Sequence, residues 1–343
     1  MVELQHALVE RLRLQPGETR QFLVGWSGGV DSTCLTHSLV QLRHQFPIHI
    51  VALHLNFHLR GDDSEADEAL VRKLANRWNI SLYVKSIREA APANGVQEWA
   101  RRHRMAARAE FPETFEVVEA HHADDQIETF FLRLFRGAGV GGLSAMKELS
   151  EREGRRVWRP FLSLRKVTLR KYASIHRLDF RDDKSNRESA KYDRNFTRLE
   201  ILPLIRKRFP TAEDQVLKTV ALMQDLQEDL ERRAERVLQD ALLCEEPLVL
   251  SVKTLCRASD IELSAVLQRL LQHHLGLQTP REGILELKRL LRSQRRFRWN
   301  AKRDIWVESS GCRADFDGKV TFTQRKGNVI GPLERKDFYA VRG

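Results

Sequence analysis

Phe22-Leu23-Val24-Gly25-Trp26-Ser27-Gly28-Gly29-Val30-Asp31-Ser32 is the stretch that decides the fold. Its first five residues form a short apolar run and read as a buried strand. Ser27 to Ser32 follow at once, and Cys34, Leu35, Leu39 and Leu42 then recur at helical spacing. A strand, a glycine pair and a helix in that order make an anion cradle. Two adjacent glycines let the backbone turn sharply and approach a ligand closely. The N–H groups at the start of the helix then favour a phosphate. Ser27 and Ser32 can add hydroxyl donors. The segment lacks the Gly-x-x-x-x-Gly-Lys-Ser spacing of a Walker loop, so it supplies no lysine to the β- and γ-phosphates, and γ-phosphoryl transfer is not indicated. The plainer alternative is an ordinary Gly-Gly turn capped by Asp31 or Ser32.

Outward from this stretch, strand and helix keep alternating. Ile48 to Leu55 reads as a second strand, 65–78 as a helix with Ala69, Leu70, Leu74 and Trp78 on its apolar stripe, and Ser81 to Val84 as a third strand. Residues 95–110 read as helix, Glu116 to Ala120 as a fourth strand, and a further helix runs from Asp124 to Phe135. That order predicts an α/β fold, a doubly wound parallel sheet covered on both faces. The pattern changes after residue 150. Residues 194–209 read as a helix ending at Phe209-Pro210, and 213–243 as one long amphipathic helix. The expected boundary lies near Pro210. It separates a catalytic domain over 1–210 from a smaller, mainly helical C-terminal domain over 211–323, with a loosely ordered tail over 324–343. The second domain is expected to hold helices near 259–275 and 281–293. A hairpin through Phe297, Trp299, Ile305 and Val307 then turns near Asn300 to Asp304.

The 343 residues carry 58 Lys or Arg against 47 Asp or Glu, a net charge of +11, and 42% are hydrophobic. So much apolar material excludes a wholly disordered chain, and the basic excess points to a polyanionic partner. No apolar run approaches the ~20 residues that cross a bilayer. Met1 to Leu14 reads as an amphipathic helix without a signal peptide's apolar core. Cys34, Cys244, Cys256 and Cys312 form no Cys-x-x-Cys, which argues against a zinc ribbon or a disulfide framework. Reduced thiols and a cytoplasmic setting are the expectation.

A second block, His121-His122-Ala123-Asp124-Asp125-Gln126-Ile127-Glu128-Thr129, sits where the fourth strand ends and a helix begins. Open α/β sheets bind ligands in that crevice. Asp125 and Glu128 are three apart and share a helix face. Paired carboxylates of this kind hold a divalent metal or an ammonium group. Acids decorating a helix N-terminus are the plainer alternative, but they leave His121-His122 without a reason. His54 and His58 lie at a strand end and in the loop after it, so their spacing is not that of a helical metal pair, and His54 reads as structural. Arg136-Gly137-Ala138-Gly139-Val140-Gly141-Gly142 follows a helix instead of opening one, so it is no dinucleotide fingerprint. It reads as a close backbone approach to a ligand or as a flexible loop. Residues 155–177 hold eight basic residues and no acid, with Trp158, Phe161 and Tyr172 interleaved; residues 281–313 are basic too, with Phe297, Trp299 and Trp306. Such stretches suit phosphate contact with base stacking, or else form a solvated basic face.

The Ser-Gly-Gly-x-Asp-Ser loop resembles the pyrophosphate loop of the N-type ATP pyrophosphatases, the PP-loop ATPases of adenine nucleotide alpha hydrolase-like fold. Within that group the chain resembles the tRNA(Ile)-lysidine synthetase family. The resemblance rests on His54-Leu55-Asn56-Phe57-His58-Leu59-Arg60-Gly61 with Ser64, Asp67 and Glu68, on Glu98-x-Ala100-Arg101-x-x-Arg104, and on the His121–Thr129 block with Arg133 and Arg136-Gly137. Arg159-Pro160, Asp183-x-Ser185-Asn186 and Arg194-Asn195-x-x-Arg198-x-x-x-Leu202-Pro203 complete it. Close matches span about residues 20–210, and with only 211–343 beyond them the chain looks like a shorter form of the family.

The resemblance implies a ligase. ATP with Mg²⁺ adenylates the C2 oxygen of the wobble cytidine in tRNA(Ile) with a CAU anticodon and releases pyrophosphate. Free L-lysine then attacks C2 through its ε-amine and AMP leaves. On this view Ser27, Gly28, Gly29, Val30, Asp31 and Ser32, with Arg136 and Gly137, bind ATP, and Asp31 contacts Mg²⁺. Asp125 and Glu128 hold the amino groups of lysine, Arg101 holds its carboxylate, and Asp31, Asp125 and Glu128 form the catalytic set. His58, Arg60, Arg194, Arg198, Arg296 and Arg298 are the expected tRNA contacts. No membrane is involved, and a homodimer is a possible assembly. Two rivals stand beside this reading: a tRNA thiolase of the same group, which would need clustered cysteines, and a non-catalytic basic tRNA-binding protein.

Overall fold

Successive side chains of the first strand, β1 (Arg20–Gly25), enter opposite faces of a sheet: Phe22 and Val24 lie in one core and Leu23 in another. The computed structural model describes residues 2–12, 19–152, 154–181, 193–245, 248–274, 281–301, 305–310 and 318–324. Helix α1 (Val2–Leu12) precedes β1. After it α2 (Val30–Leu42), β2 (Ile48–Asn56), α3 (Asp62–Trp78), β3 (Ser81–Ser86), α4 (Val96–Ala109), β4 (Phe115–Val118) and α5 (Ala123–Phe135) alternate as the periodicity predicts. A short helix α6 (Val140–Leu143) leads into β5 (Leu149–Arg152) and β6 (Arg155–Trp158). Then come α7 (Lys166–Ile175), α8 (Asp193–Phe196), a π-helical turn (Thr197–Ile201) and α9 (Leu202–Arg208).

The strands form one six-stranded sheet in the order β3-β2-β1-β4-β6-β5, parallel except for β5. Phe22, Val24 and Ile50 pack against Leu4 and Leu8 of α1, Cys34, Leu35 and Leu39 of α2, and Leu169 and Tyr172 of α7. Ala52 meets Val71, Leu74 and Ala75 of α3 on that same face. On the other face Leu23, Leu53, Val117 and Val157 close over Ala107 of α4. Each fully buried Leu, Phe or Val contributes about 1.5–3 kcal/mol, so the double winding follows from alternation on the strands. The chain leaves β1 toward β2 and β3, then returns to β4 on the other side of β1. The crevice at the carboxyl ends of β1 and β4 is therefore the topological switch point of the sheet.

Residues 155–177 differ from their sequence reading. They contain β6 and α7, and Trp158, Phe161 and Tyr172 are 0%, 0% and 3% exposed. These rings are core, not stacking platforms for bases, because β6, the turn after it and α7 pack them against β1 and α2 where composition suggested a surface. Arg155 likewise spends its guanidinium on the Phe111 and Pro112 carbonyls.

The α2–α7 contact holds a histidine, His37, whose Nδ1 lies 2.9 Å from the Tyr172 hydroxyl and whose ring centroid is 5.0 Å from that of His176. Burial, then the neighbouring His176, push the His37 pKa down to about 4. The folded chain thus resists a proton that the unfolded chain accepts near pH 6.5. Stability is complete above that pH and is lost as pH falls toward 4, by roughly 3 kcal/mol for this group. Urea melts at pH 7 and pH 4.5 should show that loss, and His37→Gln should flatten the difference.

The chain divides into two units, Met1–Gln224 and Asp225–Gly343. The division falls inside α10 (Ala212–Ala241), beyond Pro210, because the helix changes cores along its length. Val216 and Val220 pack with Phe130 and Phe131 of the first unit, whereas Ala234, Leu238 and Ala241 belong to the core of the second. That second unit contains β7 (Leu242–Cys244), β8 (Val249–Ser251), α11 (Val252–Arg257), α12 (Asp260–Arg269), a π-helical turn (Leu270–His274) and α13 (Arg281–Arg292). Strands β9 (Arg296–Ala301), β10 (Ile305–Ser310) and β11 (Lys319–Gln324) follow. The expected hairpin is β9–β10, with Trp299 opposite Val307, inside a five-stranded antiparallel sheet ordered β7-β8-β11-β10-β9. The three additional strands are too short or too polar to announce themselves by alternation. No helix among the described residues is long and apolar enough to cross a membrane. Residues 325–343 of the expected tail, and the Asp183–Asn186 motif, lie outside the described residues.

Candidate active site

Both sequence blocks end at the switch point, one after β1 and the other after β4. The loop after β1 is braced from within. Ser27 N donates to Ser32 Oγ (3.2 Å), Ser32 Oγ donates to the Gly29 carbonyl (3.1 Å), and Gly29 N donates to Ser27 Oγ (3.3 Å). It is braced from outside as well, since Arg181 N donates to the Gly28 carbonyl at 3.0 Å. Gly28 has φ +85°, and a Cβ there would stand 3.4 Å from Val71 Cγ2 and 3.6 Å from the Asp67 carbonyl. Left-handed backbone costs an L-residue ~1–2 kcal/mol. Gly28→Ala should therefore lower stability by about that amount and shift the loop; a thermal melt combined with a nucleotide titration checks both effects.

Asp31 opens α2. Its Oδ2 accepts from Lys166 Nζ at 3.1 Å and lies 3.6 Å from His122 Nε2. Its Oδ1 is buried and has no hydrogen-bond partner among the described residues. Burial pushes this carboxyl up, but His122 and Lys166 outweigh it and hold Asp31 below the ordinary carboxylate range.

His122 is 2% exposed and caps α5. Its Nδ1 accepts from Asp125 N (3.4 Å), while its own N–H donates to Asp125 Oδ2 (3.0 Å). With Nδ1 engaged as acceptor, the neutral ring carries its proton on Nε2, toward the carboxylates of Asp31 and Asp125 (3.6 and 3.4 Å). Burial disfavours the cation here, yet those two acids raise the His122 pKa above its ordinary value. One imidazole therefore joins the phosphate-type loop to the carboxylate pair.

That pair is already cation-filled. Arg194 places Nη2 2.6 Å from Asp125 Oδ1 and Nε 2.6 Å from Glu128 Oε2. Arg198 grips Glu128 with Nε at 2.5 Å and Nη2 at 2.9 Å. Burial raises the Asp125 pKa, but His122 and Arg194 bring it below the usual range. Arg194 and Arg198 were expected at tRNA; the structure sets both on the two acids, Arg194 from α8 and Arg198 four residues on, from the π-helical turn.

Other expected site residues are placed as follows. His58 (φ +52°) meets Glu65 at 2.8 Å and Ser86 at 2.6 Å. Arg60 pairs with Asp67 (2.5 Å), which also receives Arg181 Nε (2.6 Å). His54 is structural, as read: its Nδ1–H donates to the Trp26 carbonyl at 2.8 Å. Arg101 is exposed on α4, on the face that also carries Arg104 and Arg108. Arg108 Nη2 and Arg159 Nε reach Glu119, just beyond β4, at 2.8 and 2.9 Å. Arg136 and Gly137 follow the far end of the 13-residue α5, about 18 Å along the helix from Ala123. The structure does not bring those two to the Ser27–Ser32 loop. Arg296 and Arg298 lie exposed on β9, paired with the Ser310 carbonyl and Glu308.

The roles of Lys166 and Arg181 at the site escaped the sequence reading. Lys166 and Asp124 are joined by a 2.7 Å bond from Lys166 N to Asp124 Oδ2, and Arg165 links Asp124 (3.1 Å) to the buried Glu213 (2.5 Å). Nothing in a basic run marks which lysine turns inward. Arg181 carried no signal either, since its contacts to Gly28 and Asp67 cross more than a hundred residues.

Cys34 is buried, donates to the Leu169 carbonyl (3.3 Å), and burial and the charge of Asp31 push its thiol up to about 12. Among the described residues no three His, Cys, Asp or Glu side chains are grouped to hold a metal ion. Mg²⁺ needs fewer protein ligands, because it takes one or two carboxylates together with substrate phosphates. The orphaned Oδ1 of Asp31 fits that requirement.

A parallel sheet ordered 3-2-1-4 with a Ser-Gly-Gly-Val-Asp-Ser loop at its switch point defines a class. The chain belongs to the PP-loop family, whose domain matches residues 3–205. It is similar to the tRNA(Ile)-lysidine synthases of Proteus mirabilis (34% identical over 267 residues, 76% of this chain) and Escherichia coli O157:H7 (34% over 272 residues, 78%). That of Enterobacter sp. strain 638 is 36% identical over 262 residues, 74% of this chain. The matched regions cover 59%, 62% and 59% of those relatives' own lengths, so the chain spans about six-tenths of each. A U34-tRNA thiolase from Methanococcus maripaludis, solved with its iron–sulfur cluster, shares the fold. Its TM-score is 0.51 at 14% identity, covering 65% of this chain and 78% of that one.

Proposed function

We propose that the chain is a lysidine-forming ligase acting on the wobble cytidine of tRNA(Ile) with a CAU anticodon. The observation that carries this reading is the single imidazole of His122 between Asp31 and Asp125, which sets an anion cradle beside a cation-binding acid pair. ATP and free lysine bring one group of each sign. Ligation needs both within reach of one base.

In this reading the C2 oxygen of cytidine attacks the α-phosphorus of ATP, the bond to the β-phosphate breaks, and pyrophosphate leaves from the Ser27–Ser32 loop. The backbone N–H groups and serine hydroxyls of the loop meet the charge that develops there. Asp31 would hold Mg²⁺, which when bound neutralises charge on the departing phosphates. The lysine ε-amine, in its neutral form, then forms the C–N bond as the C2–O bond breaks, and AMP departs while the amine's proton passes to the leaving phosphate or to water. Glu128 and Asp125 grip the amino groups of lysine, sharing or displacing the guanidinium groups of Arg194 and Arg198, and Arg101 takes the carboxylate. The ionised state of Asp125 suits gripping an ammonium better than taking its proton. Arg296 and Arg298 remain as exposed tRNA contacts, in a chain whose +11 charge suits the phosphate backbone. The enzyme would work in the cytoplasm.

The test is incubation with tRNA(Ile), ATP and labelled lysine. Label should enter tRNA with one AMP and one pyrophosphate per lysine. Sulfur incorporation in its place would establish the thiolase, and tRNA binding without ATP turnover the non-catalytic binder.

A further inference from the structure

Asp31 has two carboxylate oxygens in different circumstances. Oδ1 is buried without a hydrogen-bond partner among the described residues, while Oδ2 holds the Lys166 ammonium at 3.1 Å. The lysine is anchored only at its base. Its backbone N–H is tied to Asp124 Oδ2 at 2.7 Å, and the preceding Arg165 is tied to Asp124 and Glu213. Nζ carries three protons, and its single hydrogen bond among the described residues is the one to Asp31. The side chains of Lys166 and Asp31 are 33% and 27% exposed, so the ammonium has room to turn. The Ser27–Ser32 loop itself contains no Lys or Arg.

A divalent cation and an ammonium cannot both sit on one carboxylate without repulsion. We propose that Lys166 is a catalytic residue of exchange. Its ammonium fills the cation position of Asp31 while the loop is empty, and turns onto the polyphosphate of ATP when Mg²⁺ takes the carboxylate. This rests on the loop being the ATP site. Lys166 then supplies the lysine that the loop lacks, from a helix more than a hundred residues away in sequence. The exchange also couples the two ligands. Metal alone must evict the ammonium into water, whereas metal arriving with ATP offers it phosphate oxygens. Each ligand therefore strengthens the other.

The experiment uses the full chain as wild type, Lys166→Met and Lys166→Arg, with melting curves confirming the fold of each. Mn²⁺ is titrated by its paramagnetic signal with and without a non-hydrolysable ATP analogue, and ATP is titrated in EDTA. For Lys166→Met we expect nucleotide-free Mn²⁺ affinity to rise about tenfold and metal-free ATP affinity to fall roughly 10- to 100-fold, the effect of one charge-assisted bond. The enhancement of Mn²⁺ binding by the analogue should shrink accordingly. Lys166→Arg should keep ATP affinity within about threefold, since a guanidinium also binds phosphate. If Lys166→Met does not fold, a loss of metal-free ATP affinity of tenfold or more in Lys166→Arg would overturn the proposal. Wild type that binds ATP, with Lys166→Met binding ATP and Mn²⁺ equally well, overturns the exchange alone. Wild type that binds no ATP overturns the reading of the loop along with it.

Discussion

Asp31→Ala abolishes pyrophosphate release, by roughly 10³-fold, and leaves tRNA affinity within about twofold. The carboxylate is the one acid in the Ser27–Ser32 loop and has an oxygen aimed at no protein donor among the described residues. On the proposed reading, its removal takes away the cation position beside the departing phosphates. The fold tolerates the change, because the cation it strands, Lys166, is one-third exposed and can reach water. tRNA affinity should come from exposed basic side chains elsewhere and fall with salt equally in both proteins. Pyrophosphate release and filter binding across a salt series check the two halves. A variant that still releases pyrophosphate at a tenth of the wild-type rate would refute the role given to Asp31.

Glu128→Gln separates the two half-reactions. Glu128 is 2% exposed and receives three guanidinium nitrogens between 2.5 and 2.9 Å. With its charge gone, Asp125 alone faces Arg194 and Arg198. Breaking a fully buried ion pair costs ~3–5 kcal/mol, but these arginines are about one-third exposed, so a loss of ~1–3 kcal/mol is expected. Lysine transfer should fall at least ~100-fold, through two charge-assisted bonds to the amino group, while tRNA-dependent pyrophosphate release without lysine persists. The measurement is paired: labelled lysine into tRNA, and pyrophosphate before lysine is added. Equal loss of both in a protein that melts normally would move Glu128 from lysine to ATP.

The first unit could be read from its amino acids because its strands are buried on both faces and its helices amphipathic. Phe22 to Trp26 and Ile48 to Leu55 are apolar runs that only a covered parallel sheet uses. β6 was lost behind Arg155 and Arg156, since a strand whose charged residues point outward looks like a basic run. In the second unit the three-residue strands β7 and β8 are too short to show a period. At the site, Asp31 announced itself by its glycine-loop motif, and Asp125 and Glu128 by their spacing on one helix. Lys166 and Arg181 did not, because their meaning is tertiary: each gains its partner from another element. Arg194 and Arg198 were recognised as a motif, but their ion pairs with Asp125 and Glu128 were not, since charge alone does not mark which acids an arginine meets.

The sulfur of Cys34 is sealed between α2 and α7, directly behind the residues that begin the phosphate loop. It stays protonated and out of reach of water-borne reagents until those helices part. Once Cys244, Cys256 and Cys312 have been replaced by serine, the slow alkylation of Cys34 in native buffer becomes a resident stopwatch for breathing of the catalytic half. Its hand should slow whenever nucleotide clasps the turn ahead of it.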